Sequence, residues 1–252
     1  MLRRATMLLA LSLATVPTFA ADLRVYGPGG PQPAIDEAAR EFGRQRGVEI
    51  AVVAGPTPTW IVRARADADL IFTGSETMMA DMVVDMNGQL RASDAQPLYL
   101  RPSAILVRPG NPKRIRGIAD LSSPGLRILV VNGQNQKGLW EDIAGRTGKI
   151  GLVRSIGANI ALQASGSGVA RQAWTDDETL DVWLTWNIWQ VANPKLADLV
   201  EIEPEHRIYR DAGIAVTTRG RDKAIARDFI AFLQSRDGAA IFRKWGWIAN
   251  VP

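Results

Sequence analysis

Apolar and polar positions follow two rhythms along this chain. Short apolar or alternating runs are separated by longer stretches in which apolar residues recur three and four apart, the pattern of strands alternating with amphipathic helices. Leu23 to Tyr26 predicts a strand and Gly27 to Pro31 a turn, followed by a helix with Ala34, Ile35, Ala38, Ala39 and Phe42 on one face, ended by Gly47. Val48 to Ala54 predicts a second strand, closed by Gly55-Pro56-Thr57-Pro58. Ala68 to Phe72 predicts a third, leading through Thr73-Gly74-Ser75-Glu76 into a methionine-rich helix that runs to Met86. Three β-turn-α units in a row indicate an α/β fold with parallel strands covered by helices.

The same grammar continues. Ala104 to Val107, Arg127 to Val131, Asp181 to Trp186, Leu199 to Ile202 and Ile214 to Thr217 predict strands. Leu139 to Gly145, Ile150 to Gln163, Gly168 to Trp174, Arg221 to Gln234 and Asp237 to Trp245 predict helices. No repeat of fixed period and no long linker occurs, so two lobes, if present, are joined by extended strands.

Composition narrows the chemistry. The 252 residues are 46% hydrophobic and 22% charged, which excludes a disordered chain and allows one large domain or two lobes of roughly 100 to 150 residues. The formal charge of +4 comes from cations scattered along the chain, so no nucleic-acid partner is implied. With no cysteine and a single histidine, thiol nucleophiles, iron–sulfur ligation and paired-histidine metal motifs are absent. His206, flanked by charged residues, reads as a surface histidine.

No cofactor is indicated: Gly27-x-Gly29 lacks the third glycine of a dinucleotide fingerprint, with Gln32 in its place. Gly166-Ser167-Gly168 lacks the outer glycine of a nucleophile elbow, and an enzyme is not expected. Arg3 and Arg4, the apolar run Met7 to Val16 and Thr18-Phe19-Ala20 predict an export signal over residues 1–20, with Ala21 opening a mature periplasmic chain.

The loops between strand ends and helix starts are rich in donors: Gly29-Gly30, Thr57, Thr59, Gly74-Ser75 and Gln134 through Gly138. In open α/β sheets ligands sit at such ends, and free N–H groups at helix N-termini hold anions. Each loop alone also fits a local helix cap, because the same residue types are favoured there.

Several segments together resemble a family. Val25 to Pro31, Ala54 to Trp60, Ala68 to Met79 and Asp181 to Trp186 resemble the accessory colonization factor C type of periplasmic protein, a branch of the molybdate/sulfate-type solute-binding proteins. Phe229 to Leu233 and Ile241 to Gly246 are similar to the end of molybdate-binding proteins. The resemblance implies two α/β lobes, residues 21–102 with 210–252 and residues 103–209. Each would carry a mixed sheet flanked by helices, and two crossing strands would serve as the hinge of a type II periplasmic binding protein.

As ligand it implies an oxyanion, in this branch a small phosphorylated or carboxylated acid such as 3-phosphoglycerate. As partner it implies an ABC-type permease, and it leaves room for a homodimer. Gly29, Gly30, Thr57, Thr59, Ser75 and Glu76 would line the first lobe, and Asn135, Lys137, Asn159, Trp186 and Asn187 the second.

A carboxylate beside a ligand that carries no proton is repulsive, so Glu76 in the site would argue for a ligand with a donor. Otherwise Glu76 occupies a helix's first turn, where negative charge is favourable. A bare oxyanion receptor and an adhesion protein retaining the fold stay open as other readings. Of the three spaced tryptophans Trp183, Trp186 and Trp189, Trp186 is the candidate cleft wall. Met78, Met79, Met82 and Met86 lie at helical spacing and fit a core stripe or a partner surface.

Overall fold

The computed structural model describes residues 21–133 and 136–249, so the expected export signal and Asn135 lie outside the described residues. The chain opens with β1 (Leu23–Gly27), α1 (Gln32–Arg46), β2 (Ile50–Ala54), α2 (Ile61–Asp67), β3 (Leu70–Thr73) and α3 (Glu76–Asp85). Next come β4 (Ala95–Val107), β5 (Ile128–Val131), α4 (Leu139–Gly145), α5 (Ile150–Ala158), β6 (Ile160–Ala164) and α6 (Ser167–Asp176). It closes with β7 (Val182–Trp186), α7 (Ile188–Ala192), β8 (Asp198–Glu201), β9 (Tyr209–Val216), α8 (Ala224–Leu233) and α9 (Arg236–Lys244).

The strands hydrogen-bond in the order β2-β1-β3-β9-β4-β7-β5-β6, with β8 added on β4. β1 pairs in parallel with β2 and β3, and β5 in parallel with β6 and β7. β9 runs antiparallel between β3 and β4. The thirteen-residue β4 serves both sets: Ala95 to Pro102 pairs with β9, and Ser103 to Val107 pairs with β7.

Alternation along the strands explains the layering. Leu23 and Val25 of β1 face α1, where Ile35, Ala38 and Phe42 pack with Phe229 and Phe232 of α8. The intervening Tyr26, with Ile71 of β3, faces Trp60, Met79 and Met82 on the other side. The β5–β7 region repeats this: Ile128 and Leu184 face Ile143 and Ile156, whereas Leu129 and Trp183 face Trp174 of α6. Gly27 is required where β1 meets β3, because a Cβ there would lie 2.5 Å from the Phe72 carbonyl oxygen.

Three expectations need correction. The helix expected over Ile150 to Gln163 stops at Ala158, and Ile160 to Ala164 instead pairs with β5. Locally these residues suit a helix, but the backbone polar groups of β5 take this segment as their parallel partner. β4 begins nine residues before the expected Ala104, a stretch masked in sequence by Pro97 and Pro102, with an irregularity in register between Pro97 and Tyr99.

His206 is not on the surface. It is 6% exposed, and its Nδ1 lies 2.7 Å from the Ile143 carbonyl oxygen under α4, while its neighbour Glu205 faces solvent. Replacing a buried, bonded imidazole leaves a cavity and an unpaired carbonyl. We expect His206→Ala to lower unfolding free energy by roughly 1–3 kcal/mol in a urea titration. An unchanged midpoint would remove that contact from the fold's stability.

Candidate ligand site

The strand ends create the site. Loops following β1, β2 and β3 meet segments 136 and 167–171, and the cleft between them has a volume of about 310 Å³. One wall is Pro28 to Gln32, Ala54 to Pro56, Gly74, Ser75 and Met78. The other is Gln136, Ser167, Gly168, Arg171, Trp186 and Trp189, with Arg101 of β4 also lining the cleft. The N-terminal ends of α1, α3 and α6 all contribute lining residues, so the positive ends of three helix dipoles border one space.

Arg101 dominates its electrostatics. The residue is 6% exposed, Nη2 donates to the Gly74 carbonyl at 2.6 Å, and Nε has no hydrogen-bond partner. Its guanidinium carbon lies 4.7 Å from the ring centre of Trp186 and 5.1 Å from that of Trp247. Among the described residues no carboxylate stands within ion-pair distance of it. Burial pushes the guanidinium down to about 9, opposed by the charge of Asp211 and reinforced by that of Arg210. A Cβ on Gly74 would lie 3.1 Å from both Nη atoms, so the missing side chain leaves the fork its room.

The expected site residues separate into those at the cleft and those away from it. Gly29, Gly30, Ser75 and Trp186 line it. Ser75 caps α3, its Oγ accepting from the Met78 N–H at 3.1 Å. Thr57 and Thr59 do not line it: they form a 3-10 turn beyond Pro56, where Thr59 Oγ1 donates to the Pro56 carbonyl at 2.7 Å and faces solvent.

Glu76 is exposed and outside the lining, its backbone N–H donating to Asp211 Oδ1 at 3.0 Å. It occupies the first turn of α3, so the inference from a carboxylate beside the ligand no longer holds. Lys137 is exposed and outside the lining. Asn187 lies outside it too, donating through Nδ2 to the Gly246 carbonyl at 2.6 Å.

Asn159 belongs to the other end of the sheet, where Nδ2 donates to the carbonyls of Leu121 and Ser123 at 2.9 and 2.8 Å. It precedes β6, and the cleft lies beyond the strand's far end, roughly 17 Å away for a five-residue strand.

Arg101, Arg171 and Trp189 of the lining were not foreseen as site residues. Arg171 left no local signal, being one exposed arginine on an amphipathic helix. For Arg101, the one available sign is a charged residue inside a mostly apolar, proline-containing strand.

The pattern of the bacterial extracellular solute-binding protein family matches residues 23–248. Among curated proteins, the sulfate-binding protein of Salmonella typhimurium is 25% identical over 180 residues. That stretch covers 64% of this chain and 55% of that relative's length, so the chain spans about half of it. Among solved structures, Peb3, known from Campylobacter jejuni and solved with L-phospholactate bound, is 34% identical with a TM-score of 0.86. That superposition covers 91% of this chain and 100% of Peb3.

The sulfate-binding protein SubI of Mycobacterium tuberculosis, at 18% identity, shares the fold with a TM-score of 0.73 over 91% of this chain and 87% of SubI. With the family pattern extending from β1 to the residues after α9, the chain belongs to the bacterial extracellular solute-binding proteins, as a type II periplasmic binding protein related to the molybdate and sulfate group.

Proposed function

We propose that this protein captures a small organic anion, a phosphorylated or carboxylated acid of the 3-phosphoglycerate class, and delivers it to an ABC-type permease without chemical change. The observation that carries this reading is Arg101: a buried guanidinium at a cleft, with no carboxylate in contact among the described residues, is a site short of one negative charge. Burying a charge without a partner is costly, and an anionic ligand offsets that cost.

Two further features favour an organic acid over a bare tetrahedral oxyanion. Arg101 and Arg171 both line the cleft, which suits a molecule with two anionic ends. Met78, Trp186, Trp189 and the prolines give it apolar surface for a carbon skeleton, and about 310 Å³ falls in the range of small-molecule pockets. The L-phospholactate held by Peb3 belongs to the same chemical class.

In this reading residues 21–102 with 210–252 form one lobe and residues 103–209 the other. The lobes close on the ligand about β4 and β9. Gly29, Gly30 and Ser75 serve as first-lobe ligands, Trp186 as a wall of the second, and the protein works in the periplasm after export.

A thermal-shift panel with 3-phosphoglycerate, citrate, phosphate, sulfate and molybdate tests the assignment. At about 100 times its dissociation constant a ligand adds about 2.7 kcal/mol, a shift of roughly 5–10 °C for this size. We expect 3-phosphoglycerate to give it. A shift with sulfate or molybdate alone would replace the organic acid by an oxyanion. No shift with any of the five, together with saturable binding to cell surfaces, would favour adhesion.

A further inference from the structure

Three side chains form a hydrogen-bonded relay in the second wall of the cleft. Trp186 Nε1 donates to Gln136 Oε1 at 3.0 Å, and Gln136 Nε2 donates to Ser167 Oγ at 2.7 Å. The direction of the relay follows from chemistry. An indole N–H can only donate, so the amide oxygen of Gln136 must face Trp186 and its NH₂ must face Ser167. The amide therefore occupies a lone pair of the Ser167 hydroxyl and cannot take its proton. Trp186 is itself fixed, 2% exposed and beside the Arg101 guanidinium, so the amide has no second orientation that satisfies both neighbours.

We infer that Gln136 is a positioning residue that holds one lone pair of the Ser167 hydroxyl and so leaves the hydroxyl proton free to donate to a ligand oxygen from this wall. The inference rests on the anion-binding reading above and adds to it how one wall reads the ligand. Ser167 and Gln136 both line the cleft, and Ser167 opens α6, so its hydroxyl proton can turn toward the space where the ligand sits. Across the cleft Ser75 reaches the same state by another route, its lone pair taken by the Met78 N–H. Among the described residues lining the cleft none is acidic, so no carboxylate of theirs competes for either proton.

A double-mutant cycle on the full mature protein tests the lock. Gln136→Glu keeps an oxygen for Trp186 but presents a second oxygen to Ser167, which draws the hydroxyl proton away from the ligand. Titration calorimetry at pH 8 with 3-phosphoglycerate is run on the wild type, Gln136→Glu, Ser167→Ala and the double variant.

We expect Gln136→Glu to weaken binding about 10- to 100-fold by itself, through the lost charge-assisted hydrogen bond together with the added charge. With Ser167→Ala already present only the charge remains, so the same change should cost several-fold less. Equal losses in both backgrounds would overturn the lock. If Gln136→Glu does not fold, judged by its unfolding midpoint, Gln136→Leu replaces it: the unlocked hydroxyl should make its loss of affinity several-fold larger when Ser167 is present than when it is alanine. A wild type that binds none of the five anions of the panel would overturn the anion reading and the lock together. A wild type that binds without coupling between positions 136 and 167 overturns the lock alone.

Discussion

Replacing Arg101 with methionine should weaken 3-phosphoglycerate binding by roughly 30-fold or more while leaving the unliganded protein at least as stable. Truncating one partner of a buried, hydrogen-bonded charge pair costs about 2–5 kcal/mol of binding, and every 1.4 kcal/mol is tenfold in affinity. The stability half of the expectation has its own cause. In the free protein the guanidinium is buried, with Nη2 on the Gly74 carbonyl and Nε without a partner among the described residues, and burial holds it down at about 9, the mark of a cation that water would solvate better.

Methionine removes that penalty, fills a similar volume and stays beside Trp186 and Trp247, against the loss of a bond worth about 1 kcal/mol. Arg101→Lys should fall between the two, since it keeps the charge and loses the planar fork. Titration calorimetry and thermal unfolding of the same samples read both quantities. Wild-type affinity in the methionine variant would remove Arg101 from the site. A fall of several degrees in its unliganded midpoint would make the guanidinium a structural group.

The second large effect is expected at Asp69, away from the cleft. Its carboxylate is 1% exposed, and Lys223 Nζ stands 2.8 Å from Oδ2 and Arg219 Nε 3.4 Å from Oδ1. Oδ2 also accepts from the Arg24 backbone N–H at 2.9 Å. One buried anion thus ties the start of β1, the residue before β3 and the entry to α8. Its backbone carbonyl accepts from Thr217 after β9, and Gly220 packs so closely that a Cβ there would lie 2.1 Å from the same oxygen.

Asp69→Ala removes the common partner of two cations and leaves the Arg24 N–H unpaired. The two cations keep solvent access, so the cost comes chiefly from the unpaired Arg24 N–H and the lost charge-assisted bonds, about 2–4 kcal/mol, a fall of roughly 4–16 °C in midpoint for a chain of this size. Asp69→Asn keeps an acceptor for Arg24 and should recover part of the loss. Ligand affinity, measured well below the midpoint, should stay at the wild-type value. Loss of affinity in a folded Asp69→Ala would show that this junction also sets the geometry of the cleft.

Much of the architecture is written in the local pattern. Alternation in Leu23 to Tyr26 and the helical spacing from Ala34 to Phe42 specify β1 and α1, because each element must bury one face and its period shows which. Gly47, left-handed at a φ of 67°, ends α1 where the sequence placed the stop. The donor-rich strand ends were legible for the same reason, and Gly29, Gly30, Ser75 and Trp186 reached the cleft.

The local pattern misleads where a residue's role depends on something distant in the chain. Asn159 looks like a polar loop residue, and only the parallel pairing of β5 and β6 puts it at the end of the sheet away from the cleft. His206 has charged neighbours in sequence, yet α4 covers it.

The α/β class, the order of most elements and the strand ends at which a ligand could be met follow from periodicity and turn chemistry within a few residues, and are therefore readable along the chain. Tertiary structure alone decided which polar groups face the cleft. It brought Arg101 of β4 beneath Gly74 and beside Trp186 and Trp247, and joined Gln136 to Ser167 and Trp186. Burial and hydrogen-bond direction are properties of contacts between segments 27 to 146 residues apart, and no local pattern encodes them.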